Sequence, residues 1–127
     1  MEPLSAPSRE DAALWMRDVG IFHSLEAAEL LSTANPKRGL TSLLEVAEFL
    51  TPFEVGATDP DVGVHFIDAK RLADWTRDTI GDHDLADRID ELIATGAAYS
   101  FLAPRLQLLV LARVSQYWEL LRPEAAG

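Results

Sequence analysis

The sequence of 127 residues contains no cysteine. This absence excludes disulfides, thiolate metal sites and cysteine nucleophiles, and nothing indicates an oxidising compartment. The N-terminus lacks the basic region and the continuous apolar segment of a signal peptide. No stretch offers the roughly 20 uninterrupted apolar residues that a membrane span needs. We therefore expect a cytoplasmic protein that does not enter a membrane.

Basic residues are scarce. Eleven Lys and Arg stand against 21 Asp and Glu, which gives a formal net charge of -10. Such a balance argues against binding to nucleic acid, whose phosphates require many cationic side chains, and against binding to an anionic membrane surface. Two interpretations of the acidity stay open. Either the acidic residues keep the protein soluble, for example in a salty cytoplasm, or they make the chain an acidic decoy for a basic, nucleic-acid-binding partner.

Motifs for catalysis and cofactor binding are also lacking. No serine lies in a G-x-S-x-G elbow, and the glycines form no phosphate-cradling loop. The segment that starts at Asp59 begins like an EF-hand loop. However, Val64 stands where glycine is needed, and Lys70 stands where a bidentate glutamate is needed. The sequence thus predicts no catalytic residue, no cofactor and no metal ligand.

Histidine and aspartate supply the one alternative. His65 precedes Asp68 by three residues, and His83 lies between two aspartates. Imidazole and carboxylate groups together can hold zinc or iron, or act as a base and its orienting group. The H-E-x-x-H spacing is absent, and an aspartate-flanked histidine is typical of a capped helix start. A metal-dependent accessory protein or small enzyme that uses His65, Asp68 and His83 remains the second hypothesis.

Apolar residues recur at helical spacing through most of the chain. This pattern predicts an all-α fold, in which residues 1–127 form one compact bundle of five to six helices and residues 1–7 form a flexible tail. Residues 53–63 are predicted to be a surface loop, and residues 62–67 are the only candidate strand. The predicted helices start at Ser8, Ser24, Ser42, Asp68, Asp82 and Pro104, and they end near Gly20, Asn35, Thr51, Thr79, Gly96 and Arg122.

The long apolar C-terminal helix carries the functional prediction. One stripe is predicted to face inward, formed by Leu106, Leu109, Val110, Val114, Tyr117 and Leu121. Leu108, Leu111 and Trp118 fall outside this stripe and share another broad side, so the helix needs cover on more than one face. Either these three side chains bind a partner, as large aromatics often do at interface cores, or the helix lies at the centre of its own bundle. We predict a non-catalytic interaction module that binds a protein partner or forms a homo-oligomer.

Two segments in the second half of the chain carry a resemblance. Residues 70–75, Lys-Arg-Leu-Ala-Asp-Trp, and residues 80–89, Ile-Gly-Asp-His-Asp-Leu-Ala-Asp-Arg-Ile, are similar to a motif of an uncharacterised bacterial and archaeal family of small helical proteins. Leu72 stands where that family has phenylalanine. The resemblance spans about Leu40 to the C-terminus. It implies a helical fold and assigns no functional residue.

Overall fold

The computed structural model describes residues 4–30, 37–50 and 64–122, and these residues are mostly helical. Three strands, β1 (Leu25–Leu30), β2 (Lys37–Leu40) and β3 (Val64–Phe66), form a small antiparallel sheet in the order β2-β1-β3. Five α-helices surround it: α1 (Arg9–Trp15), α2 (Leu43–Phe49), α3 (Ala69–Trp75), α4 (His83–Ala94) and α5 (Tyr99–Leu121). The predicted helical character and the predicted number of helices are confirmed, and the small sheet is the feature that the all-α prediction did not include.

The sheet replaces the helix that was predicted to start at Ser24. Leu25 and Ala27 are buried while Glu26 is exposed, which is the alternation of a strand with one face on the core. Leu25 pairs with Leu40 of β2, and Ala28 pairs with Phe66 of β3. The composition of this segment suits a helix, but hydrogen bonds to neighbours on both sides override that local preference. The last residues of the predicted helix, 31–36, lie outside the described residues.

The candidate strand at residues 62–67 is confirmed as β3, which pairs with β1. The loop predicted at residues 53–63 lies outside the described residues.

The helix starts follow the predicted capping residues. In each case a side-chain oxygen of the residue before the helix accepts a hydrogen bond from a backbone N–H of the first turn, a donor that has no partner within the helix. At α2 the Glu45 carboxylate also accepts from the N–H of Thr41, the residue before the capping Ser42. The capping residues are Ser8, Ser42, Asp68 and Asp82. Short-range sequence signals are therefore sufficient to predict where these four helices start.

The C-terminal helix is the longest element, and it packs against α1, α2 and α4. The inward stripe is buried as predicted, except that Leu121 is only half-buried. The helix begins at Tyr99 and not at Pro104, so the predicted start is wrong. Pro104 lies inside the helix, where it has no N–H to donate to the carbonyl of Ser100.

The acidic faces of α3 and α4 are partly neutralised by one arginine. Arg77 Nη2 lies 2.6 Å from Asp90 Oδ2 and 3.1 Å from Asp87 Oδ1. The hydrogen bond from Arg77 lowers the pKa of Asp90, and the same bond raises the pKa of Arg77. Asp90 and Asp87 are partly exposed, so water screens these pairs and their contribution to stability is small.

A π-helical turn at Thr76–Ile80 extends α3 and ends at Gly81. Gly81 has φ +100°, a left-handed conformation that side chains with a Cβ rarely adopt. The N–H groups of Gly81 and Asp82 both donate to the carbonyl of Thr76, at 2.9 and 3.1 Å. Arg17, just beyond α1, donates to the carbonyls of residues 79 and 80. The turn therefore fixes where Asp82 begins the next helix.

Replacing Gly81 by Ala is expected to lower the free energy of unfolding by about 2–3 kcal/mol in a urea melt. The new Cβ has to adopt the left-handed conformation, and it approaches Trp15 Nε1 at 3.1 Å. Gly96→Ala is the matched control, because Gly96 also has a positive φ, +73°, but no atom lies within 4 Å of its Cβ position. We expect a loss of about 1 kcal/mol for the control. Equal losses would show that the Trp15 contact does not constrain the turn.

Candidate interaction surface

One ion pair lies at the centre of the helical packing. Arg113 Nε lies 2.7 Å from Asp82 Oδ2, and Arg113 Nη2 lies 3.0 Å from Asp82 Oδ1. The side chains are 1% and 0% exposed, so water does not solvate either charge. A bidentate geometry of this kind is the strongest arrangement of an arginine and a carboxylate. The pair connects the start of α4 to the middle of α5.

The Asp82 carboxylate accepts four hydrogen bonds. Two come from Arg113, one comes from the Leu85 N–H, and one comes from the hydroxyl of Tyr117. A carboxylate has about four acceptor positions, so Asp82 is fully satisfied. This matters because a buried charge without partners strongly destabilises a fold.

The remaining donors of Arg113 reach the N-terminal segment. Its Nη1 donates to the Ser5 carbonyl at 2.8 Å and to Gln116 Oε1 at 3.0 Å. Gln116 Nε2 in turn donates to the Leu4 carbonyl at 2.6 Å. Leu4 also packs against the core. Polar side chains of α5 thus contact Leu4 and Ser5, two residues of the segment 1–7 that is predicted to be a flexible tail.

Two aromatic rings surround the guanidinium group. The Arg113 Cζ lies 5.7 Å from the ring centre of Trp15 and 5.6 Å from that of Tyr117, within the range of cation–π interactions. Burial alone lowers the pKa of Arg113, but the hydrogen bonds and charge of Asp82 outweigh it, so the pKa is raised. The pKa of Tyr117 is raised by burial and by the Asp82 charge. Arg113 thus stays charged, and the phenol of Tyr117 stays neutral.

This buried network is structural rather than catalytic. Asp82, Arg113 and Tyr117 are at most 1% exposed, so a substrate has no access to them. The sequence analysis missed the network, because it considered only the apolar members of the inward stripe. The signal was present, since Arg113 lies four residues after Leu109 and four before Tyr117, on the inward stripe. A charge on that stripe requires a buried partner.

The opposite side of α5 is exposed along its whole length. We call this side the outer face of α5, formed by Phe101, Arg105, Leu108, Leu111, Ala112, Ser115, Trp118, Glu119 and Arg122. The three predicted partner-binding residues all lie on it. Leu108 is 64% exposed, Leu111 37% and Trp118 46%. Phe101, which the sequence analysis did not include, is 68% exposed. Among the residues that the structure describes, α5 is thus buried on one side and exposed on the other.

Two of the three residues of the second hypothesis, Asp68 and His83, lie at opposite ends of a helical segment. Asp68 caps α3, and the exposed His83 opens α4. Helix α3 and the π-helical turn, residues 69–80, lie between them. His65 belongs to β3, and its side chain is not among the parts of the chain that the structure describes. Within residues 4–30, 37–50 and 64–122, no group of three or more metal-binding side chains is placed to hold an ion.

A polar cleft of about 380 Å³ lies beside the π-helical turn, and residues of its lining already have structural roles. Arg17 donates to carbonyls of the turn. Asp18 accepts from the Gly20 N–H and from the Thr41 hydroxyl, and the latter bond lowers its pKa. These hydrogen bonds therefore stabilise the packing of the end of α1 against the turn. The two side chains do not form a catalytic pair.

No protein-family model, curated protein or solved structure matches the chain. The resemblance to a family of small helical proteins therefore stays a prediction.

None of the helices in the described part of the chain combines the length and the apolar character needed to cross a bilayer.

Replacing Asp82 by Asn is expected to cost about 3–5 kcal/mol of stability, because the change leaves Arg113 as a buried charge without its counter-ion. Asparagine still caps a helix, so the loss reports on the charge and not on the cap. Asp68→Asn changes an exposed cap in the same way and is the matched control, with an expected loss below about 0.5 kcal/mol. Urea melts measure both. Similar small losses for the two variants would contradict the central role of the pair.

The two tyrosines give an independent test by pH. Burial raises the pKa of both Tyr99 and Tyr117 above the ordinary value of about 10. The stability linked to these groups is complete below that pH, and it is lost as the pH rises through the higher folded values. In an absorbance titration we expect tyrosinate only above pH 10, accompanied by loss of the helical circular-dichroism signal. A tyrosine that ionises near pH 10 in the helical protein would contradict this description.

Proposed function

We propose that the protein is a non-catalytic interaction module, and that the outer face of α5 binds a protein partner or a second copy of the chain. The observation that carries the proposal is the exposure of Leu108, Leu111 and Trp118 on one side of a helix whose other side is anchored by a buried ion pair. Large apolar side chains that are exposed together mark binding sites more often than isolated ones do.

The scaffold behind this surface supports the proposal. The inward side of α5 packs against α1, α2 and α4, and Arg113 fixes its rotation about the helix axis. A partner therefore meets side chains whose backbone is already ordered. Binding to such a surface loses less conformational entropy than binding to a mobile segment. Trp118 suits the centre of a contact, because tryptophan is the residue most enriched among interface hot spots.

Enzymatic alternatives receive less support from the described residues. The most strongly interacting polar group, Asp82 with Arg113 and Tyr117, has no contact with solvent. Asp68 and His83 lie at opposite ends of a helical segment. The role as an acidic decoy differs from our proposal in its chemistry, because binding through acidic residues weakens steeply with added salt. Binding through the outer face of α5 is mainly apolar, so added salt is not expected to weaken it.

Site-specific photo-crosslinking in the host cell tests the proposed function. A photoreactive residue in place of Leu108 is expected to form a discrete covalent adduct. The same residue in place of Glu91 is the control, since the Glu91 side chain is 72% exposed on α4 and lies off the outer face. Adducts from position 108 but not from position 91 are the expected result. No adduct from position 108, or equal adducts from both positions, would contradict the proposal.

Trp118→Ala separates a binding role from a folding role. Because Trp118 is 46% exposed, we expect the free energy of unfolding of the isolated chain to fall by only about 1 kcal/mol or less. The adduct formed from position 108 should at the same time decrease strongly. A fully buried tryptophan would cost about 3–5 kcal/mol when truncated. A loss in that range, measured in a urea melt at low protein concentration, would assign Trp118 to the core instead.

A further inference from the structure

We infer that the occupant of the outer face of α5 is a second copy of this chain, bound with the two α5 helices antiparallel. The inference rests on the proposed function and adds the identity and orientation of the partner. It is drawn from the spacing of the apolar residues, from their symmetry along the helix and from the distribution of charge.

The spacing is that of a helix–helix seam. Successive intervals of three and four residues are the repeat by which two helices pack along a common line. One line of this kind runs along the outer face and includes the half-buried Pro104 at its edge. Its members are Phe101, Pro104, Leu108, Leu111, Ser115 and Trp118. The inward stripe already contacts the protein's own helices, so this line is a second seam on the same helix.

The seam is symmetric about its midpoint. The interval from Phe101 to Leu108 is seven residues, and so is the interval from Leu111 to Trp118. An antiparallel copy therefore places Phe101 opposite Trp118 of the second copy, and Leu108 opposite Leu111 of the second copy. Each contact occurs twice about a twofold axis, which is the self-complementary arrangement of a symmetric dimer. A symmetric dimer explains why the seam has aromatic residues at both ends and leucines in the middle, whereas an unrelated partner does not explain this arrangement.

Pro104 and Ser115 complete the symmetry. They lie at equal distances from the midpoint, and both are small enough to leave room for the flanking aromatic rings. A parallel arrangement lacks these advantages. It places Trp118 against Trp118 and Arg122 against Arg122, and it aligns the two helix dipoles in the same direction. The antiparallel orientation follows from these differences.

Charge also favours contact at this face. The chain carries a net charge of -10, so two copies repel each other in most orientations. The outer face of α5 differs from the rest of the surface, because it holds Arg105 and Arg122 against one acidic residue, Glu119. Contact through this face therefore avoids bringing together the acidic side chains that dominate the rest of the chain. Added salt screens the remaining repulsion, and we expect it to strengthen the dimer.

The size of the seam sets the expected affinity. From Phe101 to Trp118 the helix extends roughly 26 Å, and it is about 10 Å wide. This footprint is smaller than the roughly 800 Å² that each partner buries in a standard stable interface. We therefore expect a concentration-dependent dimer with a Kd on the order of micromolar to hundreds of micromolar.

Sedimentation equilibrium of the purified chain, from about 5 µM to about 1 mM, measures this dimer. Trp118→Ala is expected to raise the Kd at least tenfold. Phe22→Ala is the matched control, because Phe22 is a 96% exposed aromatic on the 3-10 turn at Ile21–His23, and it should leave the Kd unchanged. Sodium chloride at 0.5 M should lower the wild-type Kd. A monomer over the whole range, or equal effects of the two substitutions, would overturn the inference.

Disulfide trapping tests the orientation. Because the chain has no native cysteine, only the introduced cysteines can form disulfides. Antiparallel pairing brings position 104 of one copy next to position 115 of the other, within the 4.4–6.8 Å between Cα atoms that a disulfide requires. A mixture of differently tagged P104C and S115C chains should form the mixed disulfide, and each variant alone should form little homodimer. Efficient self-crosslinking of each single variant would show parallel pairing and overturn the orientation.

The two proposals fail in different ways. If the purified chain stays monomeric while position 108 forms an adduct with a different protein in cells, the partner is not a second copy but the interaction face stands. If position 108 forms no adduct in cells and the purified chain is monomeric, both are wrong. An adduct with twice the mass of the chain supports both.

Discussion

The buried ion pair between Asp82 and Arg113 is the interaction on which the rest of the described structure depends. Desolvating two charges is unfavourable, and the pair is tolerable only because each group finds nearly all of its hydrogen bonds inside the protein. Through these bonds the pair joins the start of α4, the middle of α5 and the N-terminal residues Leu4 and Ser5. The aromatic contact with Trp15 adds α1. A polar network of this kind specifies one packing arrangement in which an apolar contact would permit several.

This constraint determines which side of α5 faces outward. Arg113 can reach Asp82 in one rotation of the helix only, and that rotation turns Leu108, Leu111 and Trp118 to solvent. The exposure of these side chains is thus a consequence of the internal charge pair and not of incomplete packing. Structure and proposed function are joined at this point, since a helix fixed from the inside presents a preorganised surface on the outside. The symmetry of that surface then favours an identical partner.

The parts of the structure that follow from local chemistry could be predicted from the sequence. The start of α4 after Asp82 and the position of Trp118 outside the inward stripe need only capping signals and helical periodicity. The strand Leu25–Leu30 could not be predicted in this way, because one of its two partner strands, β3, lies far along the chain, and its residues have no strong strand preference of their own. The partner of Arg113 lies 31 residues away. Periodicity shows that an inward arginine needs a carboxylate, but it does not show which of 21 acidic residues supplies it.

The three tryptophans allow the central claim, that a fixed scaffold presents one face for association, to be measured directly. Trp75 is buried and donates its indole N–H to the His23 carbonyl, and Trp15 is half-buried beside Arg113, whereas Trp118 lies on the outer face of α5. Two-dimensional ¹⁵N–¹H NMR of the indole groups, followed over a dilution series from about 1 mM to about 10 µM, observes all three at once. We predict a concentration-dependent shift of the Trp118 signal while the other two signals stay unchanged. An invariant Trp118 signal, or three signals that shift together, would contradict the account.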